Sequence, residues 1–235
     1  MRHLLVTLAL TALTALTAVP SSSSGGEGPA RSDGEVLELT FGVYKSDKAT
    51  EMYRKFTPIL ESLQDDLSRR LEREVDLQLR IFSSYEAGLE ELIQGEVDFV
   101  RFGPASYILA KEQNAEISLL AMESKNGETR FRGLIIARRE SGITRRQDLR
   151  GRTFAFGDRN STIGRFLVQA ELAKAGVRAA DLAGFDYLGR HDKVVRAVEL
   201  GDFDAGSVKE STFLKMNEKD EMVVVHAFWN VTKPW

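Results

Sequence analysis

The segment Phe154-Ala155-Phe156-Gly157-Asp158-Arg159-Asn160-Ser161-Thr162-Ile163-Gly164 runs from a strand pattern through a polar turn into a helix start. Unpaired backbone N–H groups and the positive end of the dipole make such a start a place for an anion. Ser161 and Thr162 can add hydroxyl donors. The plainer reading makes Ser161 an ordinary N-cap. The Gly-rich spacing and Gly-Lys pair of a Walker loop are missing.

Other positions invite the same chemistry. Phe102-Gly103-Pro104-Ala105-Ser106-Tyr107 again joins a strand to a helix, and the Tyr107 hydroxyl can reach a cleft mouth one turn in. A packing tyrosine is the alternative. Tyr44, after the first strand, has the same two readings. His191 follows a strand and Gly189 and opens a helix, where neutral imidazole can donate one hydrogen bond to an oxyanion. The alternative is a capping or surface histidine. Asp98 and Asp204 hold matching places near strand starts. Asp98 reads as orienting a turn, and Asp204 as able to face a cleft and select a cationic group, with Glu210 a second candidate for that role. No histidine or acid stands beside His191 at metal-ligand spacing. Nucleophile-elbow, zinc and dinucleotide motifs are also missing. No metal, cofactor or catalytic residue is expected.

The elements that must position these residues alternate. Leu37–Val43 and Val75–Ile81 alternate as strands. Apolar residues from Met52 to Leu71 recur at helical steps, with Thr57 and Pro58 suited to N-cap and first helical position. A helix over 85–94 stops at Gly95, a strand covers 97–102, and Pro104 opens another helix. Strands at 117–122 and 131–137 complete the first half. The second half has strands at 152–156, 185–188, 203–208 and 222–227, and helices at 162–175 and 192–200. Such alternation implies parallel sheets covered by helices. The stretch from Tyr85-Glu86 to Asp98 resembles that from His191-Asp192 to Asp204 at an offset of 106 positions. Two α/β lobes of related construction follow, with a ligand cleft at strand C-terminal ends.

The chain has 235 residues, a net charge of −3 and no cysteine. The charge gives no pointer to nucleic acid, so an anion site must be a local arrangement. Without thiols there is no disulfide, zinc–thiolate site or cysteine nucleophile, and stability must come from the core. Arg2 and His3, an apolar run from Leu4 to Val19, and then Pro20 and a Ser/Gly run have the layout of a secretory signal. Residues 1–20 are expected as signal peptide and 21–35 as flexible linker. The mature protein is then periplasmic or otherwise extracytoplasmic.

In these motifs the chain resembles the phosphonate/phosphite/phosphate-binding proteins of ABC importers. The resemblance runs from about Leu39 to Trp235. It is carried in order by Phe41-Gly42-Val43-Tyr44, Val97-Asp98, Gly103-Pro104 with Tyr107, Phe156-Gly157-Asp158 with Asn160-Ser161-Thr162, His191-Asp192, Gly201, Asp204-Ala205-Gly206 and Lys209-Glu210-Ser211. It implies a type II periplasmic-binding-protein fold in the α/β class: lobe 1 at 36–132, lobe 2 at 133–228, and the start of a crossing back at 229–235, with the second return to lobe 1 missing. It also implies an oxyanion held by Tyr44, Tyr107, Ser161, Thr162 and His191, with Asp204 near an amino group where the ligand has one. Ile163 stands where family members often carry a third hydroxyl, and Lys45 where proline is common. The implied function is capture of a phosphonate, phosphite or related oxyanion by a monomer that serves an ABC permease. The alternatives are a sensory binding protein that presents the ligand to a receptor kinase, and an enzyme on the same bilobal fold.

Overall fold

In the computed structural model, residues 36–45 and 47–235 are described. The expected signal peptide and linker lie outside them. Two sheets organise the chain.

The first sheet holds β1 (Leu37–Tyr44), β2 (Val75–Phe82) and β3 (Phe99–Arg101), all parallel, in the order β2-β1-β3. Successive β1 side chains face opposite ways. Phe41 and Val43 meet Met52, Phe56 and Leu60 of α1 (Ala49–Leu71). Tyr44 points to the other face, with Phe82, Tyr85, Leu89 and Ala110 of the layer that contains α2 (Tyr85–Gln94) and α3 (Pro104–Gln113). Gly42 is required between these layers, because a Cβ there would lie 2.5 Å from the Phe82 ring.

The second sheet has the order β6-β5-β7-β4-β8. It comprises β4 (Arg130–Arg138), β5 (Thr153–Phe156), β6 (Gly184–Tyr187), β7 (Ala205–Lys209) and β8 (Met222–Val231). β5 is parallel to β6 and β7. β4 is antiparallel to β7 and β8, so the all-parallel expectation holds for the first sheet and half of the second. The chain enters this sheet on β4 and leaves it on β8. These strands pair from Arg130↔Val231 onward, and the Thr232 N–H donates to the Thr129 carbonyl at 2.9 Å, so the two connections run side by side.

A π-helical turn (Thr162–Leu167) runs directly into α4 (Val168–Lys174). Its cause is a backbone approach. Gly157 N–H donates to the Gly164 carbonyl at 2.9 Å, and the N–H groups of Arg165 and Phe166 both turn back to the Ser161 carbonyl. Helices α5 (His191–Leu200) and α6 (Glu210–Met216) follow β6 and β7.

Several sequence expectations are corrected. α1 begins at Ala49, not near Thr57, and continues through Pro58. Apolar contacts of Met52, Phe56 and Leu60 on one face outweigh the hydrogen bond that proline cannot make. The stretch 117–122 is no strand. It is held by Leu120 N–H to the Trp235 carbonyl (2.8 Å), Trp235 N–H to the Ala121 carbonyl (2.8 Å) and one bridge, Met122↔Pro234. The internal repeat survives: Gly95 and Gly201 both end their helices with left-handed φ, at 77° and 86°.

The Gly157–Gly164 approach generates a stability test. A Cβ on Gly164 would lie 2.8 Å from the Gly157 Cα, a backbone atom that cannot turn aside. Gly164→Ala is expected to cost about 1–3 kcal/mol in denaturant unfolding. Gly184→Ala, where an added Cβ meets nothing within 4 Å, is expected to be close to neutral.

Candidate functional site

A small polar cavity of about 20 Å³ lies where the C-terminal ends of β1 and β7 meet the starts of α2, the π turn and α5. Tyr44 ends β1, Tyr85 opens α2, and Gly103 precedes α3. Ser161, Thr162 and Ile163 open the π turn, His191 opens α5, and Lys209 ends β7. Phe131 of β4, Asn230 of β8, and Lys233 just beyond β8 complete the wall. A volume on this scale exceeds the roughly 10–15 Å³ that one water needs and suits a single compact guest.

The hydroxyls share one arrangement. The Gly103 N–H donates to Tyr44 Oη. The Ala105 N–H donates to Thr162 Oγ1 at 3.0 Å, and the Gly164 N–H donates to Ser161 Oγ at 2.9 Å. Each oxygen already accepts a backbone hydrogen, and a hydroxyl has one proton to give. Tyr44 and Ser161 also hydrogen-bond within the cluster, Tyr44 with Ser106 and Tyr85, and Ser161 with Tyr85. The N-cap reading of Ser161 is met by this geometry, and the capping bond itself uses a lone pair and not the hydroxyl proton. Tyr44 and Tyr85 stack at 3.5 Å between ring centroids. Burial pushes the Tyr44 phenol up to about 12 and the Tyr85 phenol well above its ordinary value, so both stay protonated donors.

His191 is 6% exposed, and its Nδ1 has no hydrogen-bond partner among the described residues. Burial, and then the nearby Lys209 charge, push its pKa down to about 3, so the ring is neutral in the empty protein. Lys209 Nζ lies 2.9 Å from Asp47 Oδ2. The burial of Asp47 works against ionisation, but Lys209 outweighs it and holds the carboxyl below its usual range. Lys233 is held well below the ordinary lysine range, by burial first and by Arg101 second.

Contacts between the two layers close the site. Besides the Ala105–Thr162 bond, Ser106 Oγ donates to the Asn160 carbonyl at 3.2 Å, and Lys215 lies 3.7 Å from Glu51. With Lys209–Asp47 these contacts tie the first sheet's elements to those of the second.

Of the expected site residues, the structure brings Tyr44, Ser161, Thr162 and His191 together and places two elsewhere. Tyr107 lines a separate apolar hollow of about 320 Å³ with Leu92, Ile117 and Trp235. Its α3 neighbour Ser106 faces the Asn160 loop, and one residue along a helix turns the side chain by about 100°. Asp204 accepts from Thr153 N–H and Oγ1, both at 2.9 Å. It precedes β7 while Lys209 ends it, so the strand's length separates Asp204 from the cavity. Asp98, expected to orient a turn, instead accepts from the Thr40 N–H of β1 at 2.7 Å and so ties the approach to β3 onto that strand. Glu210 pairs with Arg132.

Sequence reasoning missed Tyr85, Lys209, Asn230 and Lys233. The repeat held a signal for two of them: at its offset of 106, Tyr85 corresponds to His191 and Gly103 to Lys209.

Residues 41–230 match the family model described as ABC transporter, phosphonate, periplasmic substrate-binding protein. The phosphate-import protein PhnD of Mycolicibacterium smegmatis is 25% identical over 198 residues, which cover 79% of this chain and 60% of that protein. The probable ABC transporter phosphite binding protein PhnD1 of Prochlorococcus marinus is 26% identical over 174 residues, covering 68% of this chain and 58% of the relative. The chain thus spans about three fifths of the length of these curated relatives. Among solved structures, PhnD1 of Prochlorococcus marinus in complex with methylphosphonate superposes with a TM-score of 0.68 at 21% identity, over 84% of this chain and 74% of that one. That likeness establishes the type II periplasmic binding fold.

Two outcomes follow from the geometry. Asp204→Ala is expected to cost about 1–3 kcal/mol in denaturant unfolding through the bonds it breaks to Thr153, with oxyanion affinity in calorimetric titration unchanged. For His191 the folded pKa lies below the ordinary 6.5, so unfolding takes up a proton between those values. Stability is expected to fall as pH drops below about 6.5, by up to about 1.4 kcal/mol per pH unit from this residue. Unfolding curves of His191→Gln between about pH 5 and 6.5 should show a correspondingly smaller slope; an unaltered slope would mean the ring is not held neutral.

Proposed function

The chain belongs to the periplasmic substrate-binding family of ABC phosphonate transporters, and we propose that it captures a small phosphorus oxyanion outside the cytoplasm and delivers it to a membrane permease. The observation that carries this reading is the unpartnered Nδ1 of buried His191, a residue that lines a cavity whose other walls carry hydroxyl and lysine side chains. An unsatisfied polar atom in a protein interior costs about 1–3 kcal/mol, and a tetrahedral oxyanion supplies the missing acceptor.

Two features narrow the guest. The cavity is compact, which favours phosphite, phosphate or methylphosphonate over guests with long substituents. Its lining among the described residues includes no carboxylate. Asp47, the acid that pairs with the lining Lys209, is already engaged. An amino group on the guest would therefore find no counter-charge, so the selectivity for amino-bearing ligands expected of Asp204 is not part of this reading. Donors come from elements of both sheets, so the guest stabilises the closed arrangement over an open one.

Calorimetric titration of the purified protein with phosphite, methylphosphonate and phosphate tests the proposal. At least one should bind, with 2-aminoethylphosphonate weaker than methylphosphonate. Ser161→Ala and Thr162→Ala should each lose on the order of 10- to 100-fold in affinity, the effect of one hydrogen bond to a charged group. No binding of any of the three oxyanions by the wild-type protein would refute the assignment.

A further inference from the structure

We propose that Lys233 is the residue that makes this site select its guest by charge, favouring a doubly ionised phosphorus oxyanion over a singly charged isostere of the same shape. The inference rests on the oxyanion reading above and adds to it a specificity residue and a charge class.

Three cations stand at or next to the cavity, and two already have carboxylate partners. Lys209 is paired with Asp47 at 2.9 Å. Arg101 makes a two-point contact with Glu123, including Nη2 to Oε2 at 2.8 Å. Lys233 lines the cavity, and its side chain forms no hydrogen bond or ion pair among the described residues. Its ammonium lies 5.2 Å from the Tyr44 ring centroid, and Glu123 and Asp47 act on it only from beyond ion-pair distance. That cation–π contact is weaker than an ion pair and leaves the ammonium donors free. A half-buried cation with no carboxylate in contact is unfavourable, and the lowering of the lysine pKa by burial has the same origin.

The backbone around Lys233 is fixed. Thr232 Oγ1 donates to the Glu123 carbonyl, and the Glu123 N–H donates to the Lys233 carbonyl at 3.0 Å. The Phe102 N–H donates to the Pro234 carbonyl at 3.1 Å, and the Trp235 indole packs at a tilt against Phe41 with ring centroids 4.7 Å apart. The side chain therefore leaves a pinned segment and cannot retreat with a loop. With no lining carboxylate to satisfy it, the guest is its available counter-ion.

The hydroxyls and neutral His191 recognise oxygen geometry, which a sulfonate shares with a phosphonate. They distinguish the two poorly. A full charge distinguishes them, because its attraction scales with the charge on the guest. Methylphosphonate and methanesulfonate form the matched pair: the same tetrahedral shape and methyl group, one negative charge apart when the phosphonate is doubly ionised.

The test is calorimetric titration of wild type, Lys233→Met and Lys233→Gln with both ligands in mildly alkaline buffer. Wild type should prefer methylphosphonate. Both variants should lose on the order of 10- to 100-fold for methylphosphonate and change little for methanesulfonate, so the preference collapses. Empty Lys233→Met should melt no lower than wild type, since it replaces an uncompensated charge by an apolar chain of similar length. If the variants keep the wild-type ratio of affinities, or lose both ligands equally, Lys233 does not read charge and this inference fails while the oxyanion reading stands. If wild type binds neither ligand and no phosphite, both readings fail together.

Discussion

The site depends on a division of labour within each hydroxyl. An oxygen that can accept and donate is ambiguous toward an anion until something fixes its role. Here backbone N–H groups fix it: Gly103 for Tyr44, Ala105 for Thr162 and Gly164 for Ser161. Each hydroxyl keeps one proton, and for Tyr44 and Ser161 an anion would compete for it with neighbouring hydroxyls of the cluster. Two of the three N–H groups, those of Gly103 and Ala105, belong to the start of α3. They would otherwise be among a helix's unpaired donors. The start of α3 thus places its N–H groups on hydroxyls that line the cavity.

The same bonds carry the closure of the cleft. The Ala105–Thr162 bond orients a donor and also joins α3 of the first layer to the π turn of the second. Ser106–Asn160 and Lys209–Asp47 repeat that join from either side. Preorganisation and closure are thus one structural event. The π turn fits this account. The Gly157–Gly164 approach sets the turn that brings Ser161 and Thr162 onto the cavity wall, and neither position tolerates a side chain. A π-helical turn at a functional site is a common way to aim side chains that a regular helix would misplace.

Much of this was legible in the sequence, and the failures have definite causes. Strand-to-helix junctions were visible at Tyr44, Ser161-Thr162 and His191 because each combines an apolar run, a turn signal and a polar helix start. Tyr107 lies outside the polar cavity, and the Gly103 junction reaches its wall through the N–H groups of Gly103 and Ala105 instead. The tyrosine of that layer that reaches the cavity is Tyr85, the repeat mate of His191. Asp204 failed on strand polarity. An acid at the start of a parallel strand lies at the far end from a site built on strand C-termini, and it spends its carboxylate on Thr153. Lys233 had no local signal. Its position follows from β8 pairing with β4 and the chain then turning back along Phe102 and Glu123, contacts separated by more than 100 positions in sequence. Pro58 and residues 117–122 show the same limit, since the surroundings decide the outcome at both.

The acidic net charge of the chain and the cationic character of its cavity belong to one argument. With a formal charge of −3, the molecule has no overall positive field to draw an oxyanion in, so selectivity must be generated after encounter. On the proposal above, a half-buried lysine with no carboxylate in contact does that. Burial, and then Arg101, make its charged form costly in the empty protein. A guest of sufficient charge would offset that cost at short range. A singly charged guest returns less of the desolvation cost. Placing the cation on the segment that leaves β8 also means that the charge sensor and the connection between the two layers are the same few residues.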